Sequence, residues 1–214
     1  MQFDLVIFDC DGVLVDSEPI ANVLLRDALA EHGLDMTVER VIDTYVGRSM
    51  AAVVSISEEM LGSKLPDDFL DVLQEKTFAA FERELKAVDG IEDVLLELKR
   101  RDVQFCVASS GSFEKMDKTL GITGLKQYFG DRIYNSSQVK RGKPYPDLFL
   151  YAANQMSVEP ARCLLIEDSI PGVQGGVAAG MEVMAYSTRN KCEDLKKAGG
   201  LVINDMRAIL NHIS

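Results

Sequence analysis

The sequence lacks the features of a membrane protein and of a nucleic-acid-binding protein. None of its apolar runs approaches the ~20 residues that a helix needs to cross a membrane. Basic residues are outnumbered, 23 Lys and Arg against 34 Asp and Glu, which gives the 214-residue chain a net charge of −11. Nucleic acids require clustered Lys and Arg, so this balance argues against such a partner. If the chain binds an anion, the positive potential has to be local to the site.

Cysteine is scarce, and its spacing does not suggest a zinc site or a redox pair. The four cysteines, none of them in a C-x-x-C arrangement, are Cys10, Cys106, Cys163 and Cys192. Three of them lie in or beside apolar runs, where a thiol behaves as a small hydrophobic group. Residues 1–4 lead directly into such a run, so we expect no signal peptide. Reduced core thiols and the absence of a leader together predict a cytoplasmic protein.

Short apolar runs recur along the chain, with stretches between them that suit helices. Nearly continuous apolar runs are typical of strands covered on both faces, as in a parallel sheet. The runs comprise residues 3–9, 103–108, 132–134, 163–166, 182–186 and 201–203. The connecting stretches that suit crossover helices are 91–101, 113–120, 146–156 and 171–179. This alternation predicts an α/β fold with a doubly wound, mostly parallel Rossmann-like sheet.

The first crossover is far longer than one helix requires. The chain between the first two runs favours helices over residues 18–32, 38–45, 50–61 and 67–85. We therefore expect an α/β catalytic core of residues 1–15 and 88–214, with an all-α helical cap of residues 16–87 inserted after the first strand. An insert at this point is expected to lie over the carboxyl end of the sheet, where open α/β sheets bind ligands.

Acidic pairs follow two of the predicted strands. Asp9 ends the first run and Asp11 comes shortly after it, where Gly12 permits a sharp turn, and Glu167 with Asp168 follows the fourth run. Carboxylates at the end of an apolar strand are unfavourable unless a cation lies between them. Because hard oxygen ligands are those that Mg²⁺ prefers, the pairs predict a magnesium site.

Hydroxyl groups and a lysine follow other predicted strands. Ser109 and Ser110 come where a helix begins after the second run, and hydroxyl and backbone N–H groups at a helix N-terminus form an anion site. Lys143 lies in a proline-containing loop before another helix. Each feature alone also fits an ordinary turn, a helix cap or a solvated lysine. Together at one sheet edge, they predict a phosphoryl site with a carboxylate nucleophile.

In this order and at these strand ends, the residues resemble the four signature motifs of the haloacid dehalogenase superfamily of aspartate-nucleophile phosphatases. The matching segments are D-x-D-G at 9–12, Ser109, Lys143 before Pro144, and Glu167-Asp168. Segment 11–18 is similar to the branch that contains β-phosphoglucomutases and sugar-phosphate phosphatases, such as 6-phosphogluconate or hexose-phosphate phosphatases. The resemblance extends over essentially the whole chain, cap included. It implies a Mg²⁺-dependent phosphatase acting on a small phosphorylated sugar or sugar acid.

The resemblance also implies a role for each motif residue. Asp9 attacks phosphorus and becomes an aspartyl-phosphate, while Asp11 gives a proton to the leaving oxygen and later takes one from water. The implied Mg²⁺ ligands are Asp9, the backbone carbonyl of Asp11, Asp168 and, directly or through water, Glu167. The groups implied to bind the phosphoryl oxygens are Ser109, the backbone N–H of Ser110 and Lys143.

Two cations of the predicted cap are candidates for substrate binding. Lys76 shares a predicted helix face with apolar neighbours, namely Phe69, Val72, Leu73 and Ala80. Its position resembles that of a cap lysine in the mutase branch, and the alternative is a lysine that snorkels at the edge of the apolar face. Arg48, in the turn at 46–49, is the second candidate.

Histidine is nearly absent, which bears on the choice between hydrolysis and mutase chemistry. Mutases of this branch carry a histidine in the cap hinge, near the position of Ile20 and Ala21, whereas the histidines here are His32 and His212. This favours a phosphatase over a sugar phosphomutase.

Two less favoured hypotheses for the function are a phospho-accepting signalling domain and a dehalogenase. Asp9 on the first strand and the helical insert argue against the former. A dehalogenase needs no metal and would leave the acidic set without a purpose. We expect a monomer whose partner is a small phosphate ester, with no membrane or nucleic acid.

Overall fold

The computed structural model describes residues 3–46, 48–187 and 192–213. The chain divides into two compact units, one formed by Met1–Asp16 with Lys86–Ser214 and the other by Ser17–Leu85. Among the described residues, no helix combines the length and the apolar character needed to span a membrane.

The described part of the second unit, which we call the helical unit, forms four helices. They are α1 (Glu18–Glu31), α2 (Val38–Tyr45), α3 (Met50–Leu61) and α4 (Phe69–Glu84). Side-chain hydroxyls begin two of them, because Thr37 accepts from the Arg40 N–H and Ser49 from the Ala52 N–H. The apolar faces of the helices form a core of their own, which includes Leu29, Val41 and Leu73.

The first unit, which we call the α/β unit, is built on a six-stranded sheet. Its strands are β1 (Leu5–Phe8), β2 (Gln104–Ser109), β3 (Ile133–Asn135), β4 (Cys163–Glu167), β5 (Glu182–Tyr186) and β6 (Leu201–Ile203). The strands lie in the order β3-β2-β1-β4-β5-β6, and the pairings are parallel. All residues of β1 and β4 are buried, as the continuous apolar runs predict. The predicted doubly wound, Rossmann-like sheet is confirmed.

Helices connect the strands. They are α5 (Ile91–Arg100), α6 (Phe113–Ile122), α7 (Lys126–Phe129), α8 (Asp147–Gln155), α9 (Ile170–Ala178) and α10 (Cys192–Lys197). The sequence analysis missed α7 and α10 because elements this short carry too little hydrophobic periodicity to be recognised. The strand order changes direction at β1, so the loops after β1, β2 and β4 meet at one place on the carboxyl edge.

Candidate active site

β1 places Asp9 at the carboxyl edge of the sheet. The Asp9 N–H donates to the carbonyl oxygen of Ile166 on β4 at 3.0 Å, so the residue directly after β1 is still held by the neighbouring strand. The residue is only 6% exposed. A carboxyl group withdrawn this far from water needs a cation nearby.

Lys143 supplies that cation and joins two carboxylates. Its Nζ atom lies 2.7 Å from Asp9 Oδ1 and also donates to Glu167 Oε1. The exposed fraction of the side chain is 8% for Lys143, 9% for Asp9 and 0% for Glu167. One ammonium group therefore balances two buried carboxylates, which leaves a local excess of negative charge.

Burial and pairing act in opposite directions on these groups. Burial raises the pKa of the Asp9 carboxyl to about 6, although the ammonium of Lys143 works to lower it. Burial alone would lower the pKa of Lys143, but Asp9 and Glu167 outweigh this and hold the pKa above its ordinary value. The lysine therefore stays charged at neutral pH.

The start of α9 holds Glu167 from the other side. Glu167 Oε2 accepts from the Asp168 N–H at 2.9 Å, and from the N–H and hydroxyl of Ser169 at 2.8 Å each. A Cβ atom at Gly172 would lie 1.9 Å from the Glu167 carboxyl carbon, so only glycine admits the carboxylate here. Glu167 is thus fixed through both oxygens.

Asp168 completes a cluster of three carboxylates. Asp9, Glu167 and Asp168 each offer one oxygen, and these atoms lie within 4.8 Å of one another. Gly12 has a left-handed φ of 76°, and a Cβ atom there would lie 2.1 Å from Asp168 Oδ2. An oxygen-only donor set at this spacing, with excess negative charge, fits a hard divalent cation.

The Asp11 carboxylate points to a different partner. Asp11 Oδ2 lies 2.7 Å from Lys115 Nζ, and the two side chains are 27% and 33% exposed. Contact with Asp11 outweighs burial and raises the pKa of the Lys115 ammonium. The sequence analysis missed Lys115, because in sequence it looks like any surface lysine of a helix. The usable signal was a lysine in the first turn of α6, where acidic residues are favoured.

The end of β2 supplies hydroxyl groups. Ser109, the last residue of β2, is 2% exposed, and its Oγ accepts from the Gly111 N–H at 3.3 Å. Ser110 is exposed in the turn that leads to α6. Ser109 ends the strand that pairs with β1 and Ser110 follows it, at the sheet edge where the sequence analysis expects both residues.

The cap candidates lie in the helical unit. Lys76 Nζ pairs with both carboxylate oxygens of Glu31, at 2.8 and 2.9 Å, and Arg48 Nε donates to the Thr44 carbonyl oxygen at 2.7 Å. The predicted apolar face of α4 is only partly correct. Its buried members are Phe69, Leu73 and Ala80, whereas Val72 is 40% exposed and Lys76 is exposed. The buried stripe is narrower than the predicted one and leaves both residues outside it.

The model of the haloacid dehalogenase-like hydrolase family matches residues 3–180, well over half of the chain. The chain belongs to the haloacid dehalogenase-like hydrolases. A 6-phosphogluconate phosphatase of Escherichia coli (strain K12) is 31% identical to this hydrolase over 186 residues, 86% of this chain and 83% of the relative. A fructose-1-phosphate phosphatase of the same strain is 29% identical over 184 residues, 84% of this chain and 94% of the relative.

The fold of this hydrolase is shared with solved structures. A haloacid dehalogenase family hydrolase of Deinococcus radiodurans R1, crystallised with bound phosphate and sodium, superposes with a TM-score of 0.82 at 33% identity. The match covers 97% of this chain and 93% of that one. These comparisons confirm the predicted family and fold. They also confirm the predicted enzyme class, which is that of the phosphoric monoester hydrolases.

Proposed function

We propose that this haloacid dehalogenase-like hydrolase is a Mg²⁺-dependent phosphatase that acts on a small phosphorylated sugar or sugar acid through an aspartyl-phosphate. The observation that carries the proposal is the buried group of Asp9, Lys143 and Glu167 beside Asp168. A buried carboxylate bound to a lysine and surrounded by further acids is what an in-line phosphoryl acceptor requires.

Asp9 is the proposed nucleophile and Asp11 the proposed acid and base. In the first step a bond forms between an Asp9 oxygen and phosphorus, and the bond from phosphorus to the sugar oxygen breaks. Asp11 donates a proton to that leaving oxygen. In the second step Asp11 takes a proton from the water that attacks the aspartyl-phosphate, which releases inorganic phosphate and restores Asp9.

The residues proposed to hold Mg²⁺ are Asp9, Asp168, the backbone carbonyl of Asp11 and Glu167. Bound Mg²⁺ supplies positive charge that offsets the carboxylates and the phosphoryl oxygens. Both oxygens of Glu167 have protein donors, so its contribution through a water molecule requires less rearrangement than direct ligation. Lys143 has a double role: it orients Asp9 and binds a phosphoryl oxygen, together with the Ser109 hydroxyl and the Ser110 N–H.

The substrate class rests on the relatives and on the resemblance seen in segment 11–18. The two named relatives are phosphatases of 6-phosphogluconate, a phosphorylated sugar acid, and of fructose 1-phosphate, a phosphorylated sugar. Arg48 and Lys76 of the helical unit are the proposed substrate-selecting cations. A monomer that acts on a small ester in the cytoplasm stays the prediction.

Hydrolysis is favoured over phosphomutase chemistry by the placement of histidine. His32 ends α1, and its ring lies against Phe69, with 5.7 Å between ring centroids. His212 follows the last 3₁₀ turn of the α/β unit, Met206–Asn211. Neither occupies the hinge position near Ile20, where a mutase of this branch carries its histidine.

The test is release of inorganic phosphate from a panel of sugar and sugar-acid monophosphates, with Mg²⁺ and with EDTA. We expect release from the wild type with Mg²⁺, none with EDTA, and none from Asp9→Asn. Asp194→Asn is the matched control, since Asp194 lies on α10 and pairs with Lys197 at 3.4 Å. Full activity is expected there. No release from any ester would overturn the hydrolase proposal, and a hexose 1-phosphate with a bisphosphate activator would then test the mutase.

A further inference from the structure

Lys115 is a second cation at the site, separate from the lysine of the phosphoryl motif. It contacts Asp11 across a separation of 104 residues, with 2.7 Å between Nζ and Oδ2. A Cβ atom placed at Gly111 would lie 3.7 Å from both Asp11 Oδ2 and Ser109 Oγ. The Asp11 carboxyl that Lys115 contacts and the Ser109 hydroxyl proposed to bind the phosphoryl group therefore both border the turn at Gly111.

The helix that carries Lys115 is firmly anchored. The Lys115 N–H donates to the Ser112 hydroxyl that caps α6. The next turn buries Met116 and Thr119, at 1% and 0% exposure. Helical side chains lean toward the N-terminus of their helix, which directs the Lys115 ammonium to the carboxyl edge of the sheet. A long, flexible side chain is thus mounted on a rigid support, as a positioning contact requires.

The electrostatics of the helix itself do not favour a lysine at position 115. The first turn of a helix carries partial positive charge, so a cation there is disfavoured and an acid preferred. The side chain is also partly withdrawn from water, with 33% of it exposed. The pairing of Lys115 with Asp11 offsets both unfavourable effects. The lysine is therefore explained by its contact with Asp11 and not by any stabilisation of the helix.

We propose that Lys115 is a positioning residue that holds the Asp11 carboxyl beside the Ser109–Gly111 turn, where it exchanges a proton with the leaving oxygen. The inference rests on the proposed phosphatase function. The Asp9 carboxylate repels that of Asp11, so loss of the ammonium weakens the restraint that holds the Asp11 side chain at this turn. The contribution of Lys115 is therefore confined to steps in which Asp11 moves a proton.

The experiment compares two leaving groups in the Mg²⁺-supplemented enzyme. A sugar alkoxide needs a proton as it leaves, whereas 4-nitrophenolate leaves without one. For Lys115→Met we expect kcat for the best sugar phosphate of the panel to fall about 10- to 100-fold, part of what a general acid contributes. The formation of aspartyl-phosphate from 4-nitrophenyl phosphate, followed as the burst of 4-nitrophenolate, should change less than about threefold.

Three further variants separate positioning from a structural role. Lys115→Arg keeps a cation in reach and should restore most of kcat. Lys196→Met removes a comparable lysine, paired with Glu193 at 3.0 Å on α10, and should leave both rates unchanged. In an Asp11→Asn background, Lys115→Met should have no further effect, because the group that it positions can no longer transfer a proton.

The outcomes distinguish the two proposals. A loss confined to kcat of the sugar phosphate, restored by arginine and absent in the Asp11→Asn background, supports the positioning role. Equal loss with both leaving groups, or an effect on KM alone, overturns it and leaves the phosphatase proposal intact. A wild type that releases phosphate from no ester overturns the proposed function and the inference with it.

Discussion

At the scale of single residues, the approach of carboxylates to the backbone depends on glycine. Gly12 provides the turn after β1 and space for Asp168, and Gly172 opens the start of α9 to Glu167. A side chain at either position would meet a carboxylate that is held by other contacts. Both glycines are therefore part of the site, although neither has a side chain that could take part in the reaction.

Gly172→Ala is expected to lower stability and to weaken metal binding. Its Cβ would lie 1.9 Å from the Glu167 carboxyl carbon, and Glu167 is wholly buried, so it can move only by breaking its contacts with Lys143 and α9. Overpacking of this kind costs about 1–3 kcal/mol, and each kcal/mol lowers Tm by about 2–4 °C in a chain of this size. Thermal unfolding with and without Mg²⁺ measures both effects.

Gly121→Ala is the matched control for that variant. Gly121 lies in α6 with nothing within 4 Å of an added Cβ, so alanine should stabilise the helix by about 0.5–1 kcal/mol. Equal Tm values for wild type and Gly172→Ala would show that Glu167 has room to move.

Lys143→Met should destabilise the protein most strongly in the absence of metal. Asp9 and Glu167 would lose the ammonium between them while still buried, and breaking a buried ion pair costs about 3–5 kcal/mol. Added Mg²⁺ should raise Tm more in this variant than in the wild type, because the ion becomes the main source of positive charge. A Mg²⁺ effect no larger than that of the wild type would contradict this charge balance.

The residues at strand ends were predictable, whereas their contacts were not. Asp9, Ser109 and Glu167 each follow or end an apolar run, and parallel strands bring such positions to one edge. Lys115 escaped prediction because its partner lies 104 residues away. Its place in the first turn of α6, where acidic residues are favoured, is a local signal, but it does not indicate which residue the lysine contacts.

At the scale of elements, continuous apolar runs predicted the strands, since burial on both faces leaves a clear pattern. The prediction for 182–186 and 201–203 agrees with β5 and β6, while β1 is shorter than the predicted 3–9. Strand ends are harder to predict because a residue such as Asp9 continues the run in sequence and keeps a backbone hydrogen bond to β4, although the strand itself ends at Phe8. The width of the buried stripe on α4 was also beyond prediction, since it depends on which helices pack against it.

Glu97, near the end of α5, pairs with Arg100 and Arg101, and this pairing makes the stability of the folded state depend on pH. The guanidinium groups of Arg100 and Arg101 lower the pKa of the Glu97 carboxyl to about 2. Because this lies below the ordinary value, the carboxylate stabilises the folded state above about pH 5, and the contribution is lost as the pH falls toward 2. Arg101 also donates to the Leu210 carbonyl oxygen at 3.0 Å, which ties α5 to the last 3₁₀ turn.

Glu97→Gln should therefore lower Tm at pH 7 by no more than about 2–4 °C, since exposed ion pairs contribute little. The difference from wild type should shrink as the pH approaches 2. Thermal unfolding over this pH range measures it, with Glu193→Gln on α10 as the control for loss of one carboxylate. A difference that grows as the pH falls would contradict the assignment.

At the scale of the whole molecule, the net charge of −11 opposes the approach of an anionic substrate. The cation proposed to bind the phosphoryl group is therefore local, namely Lys143 in the α/β unit, and Lys115 of the same unit is the cation proposed to position Asp11. The chemistry we propose lies entirely in that unit. Selection among esters of similar charge is the role that we propose for Arg48 and Lys76 of the helical unit.

Substrate preference, rather than the chemical step, should consequently change when Arg48 or Lys76 is replaced. Arg48→Met and Lys76→Met are each expected to raise KM for the preferred sugar phosphate about tenfold, the value of one charge-assisted hydrogen bond. KM for 4-nitrophenyl phosphate, which has no sugar hydroxyls, should stay within about twofold.

Glu31→Gln separates the two possible roles of Lys76. Both oxygens of Glu31 contact its ammonium, so this variant weakens the ion pair while it keeps the lysine. If Lys76 binds substrate, Glu31→Gln leaves KM unchanged or lowers it, because the lysine is less restrained, whereas Lys76→Met raises it. If Lys76 serves only the helical unit, both variants lower Tm slightly and neither changes KM, and substrate selection then has to come from other residues.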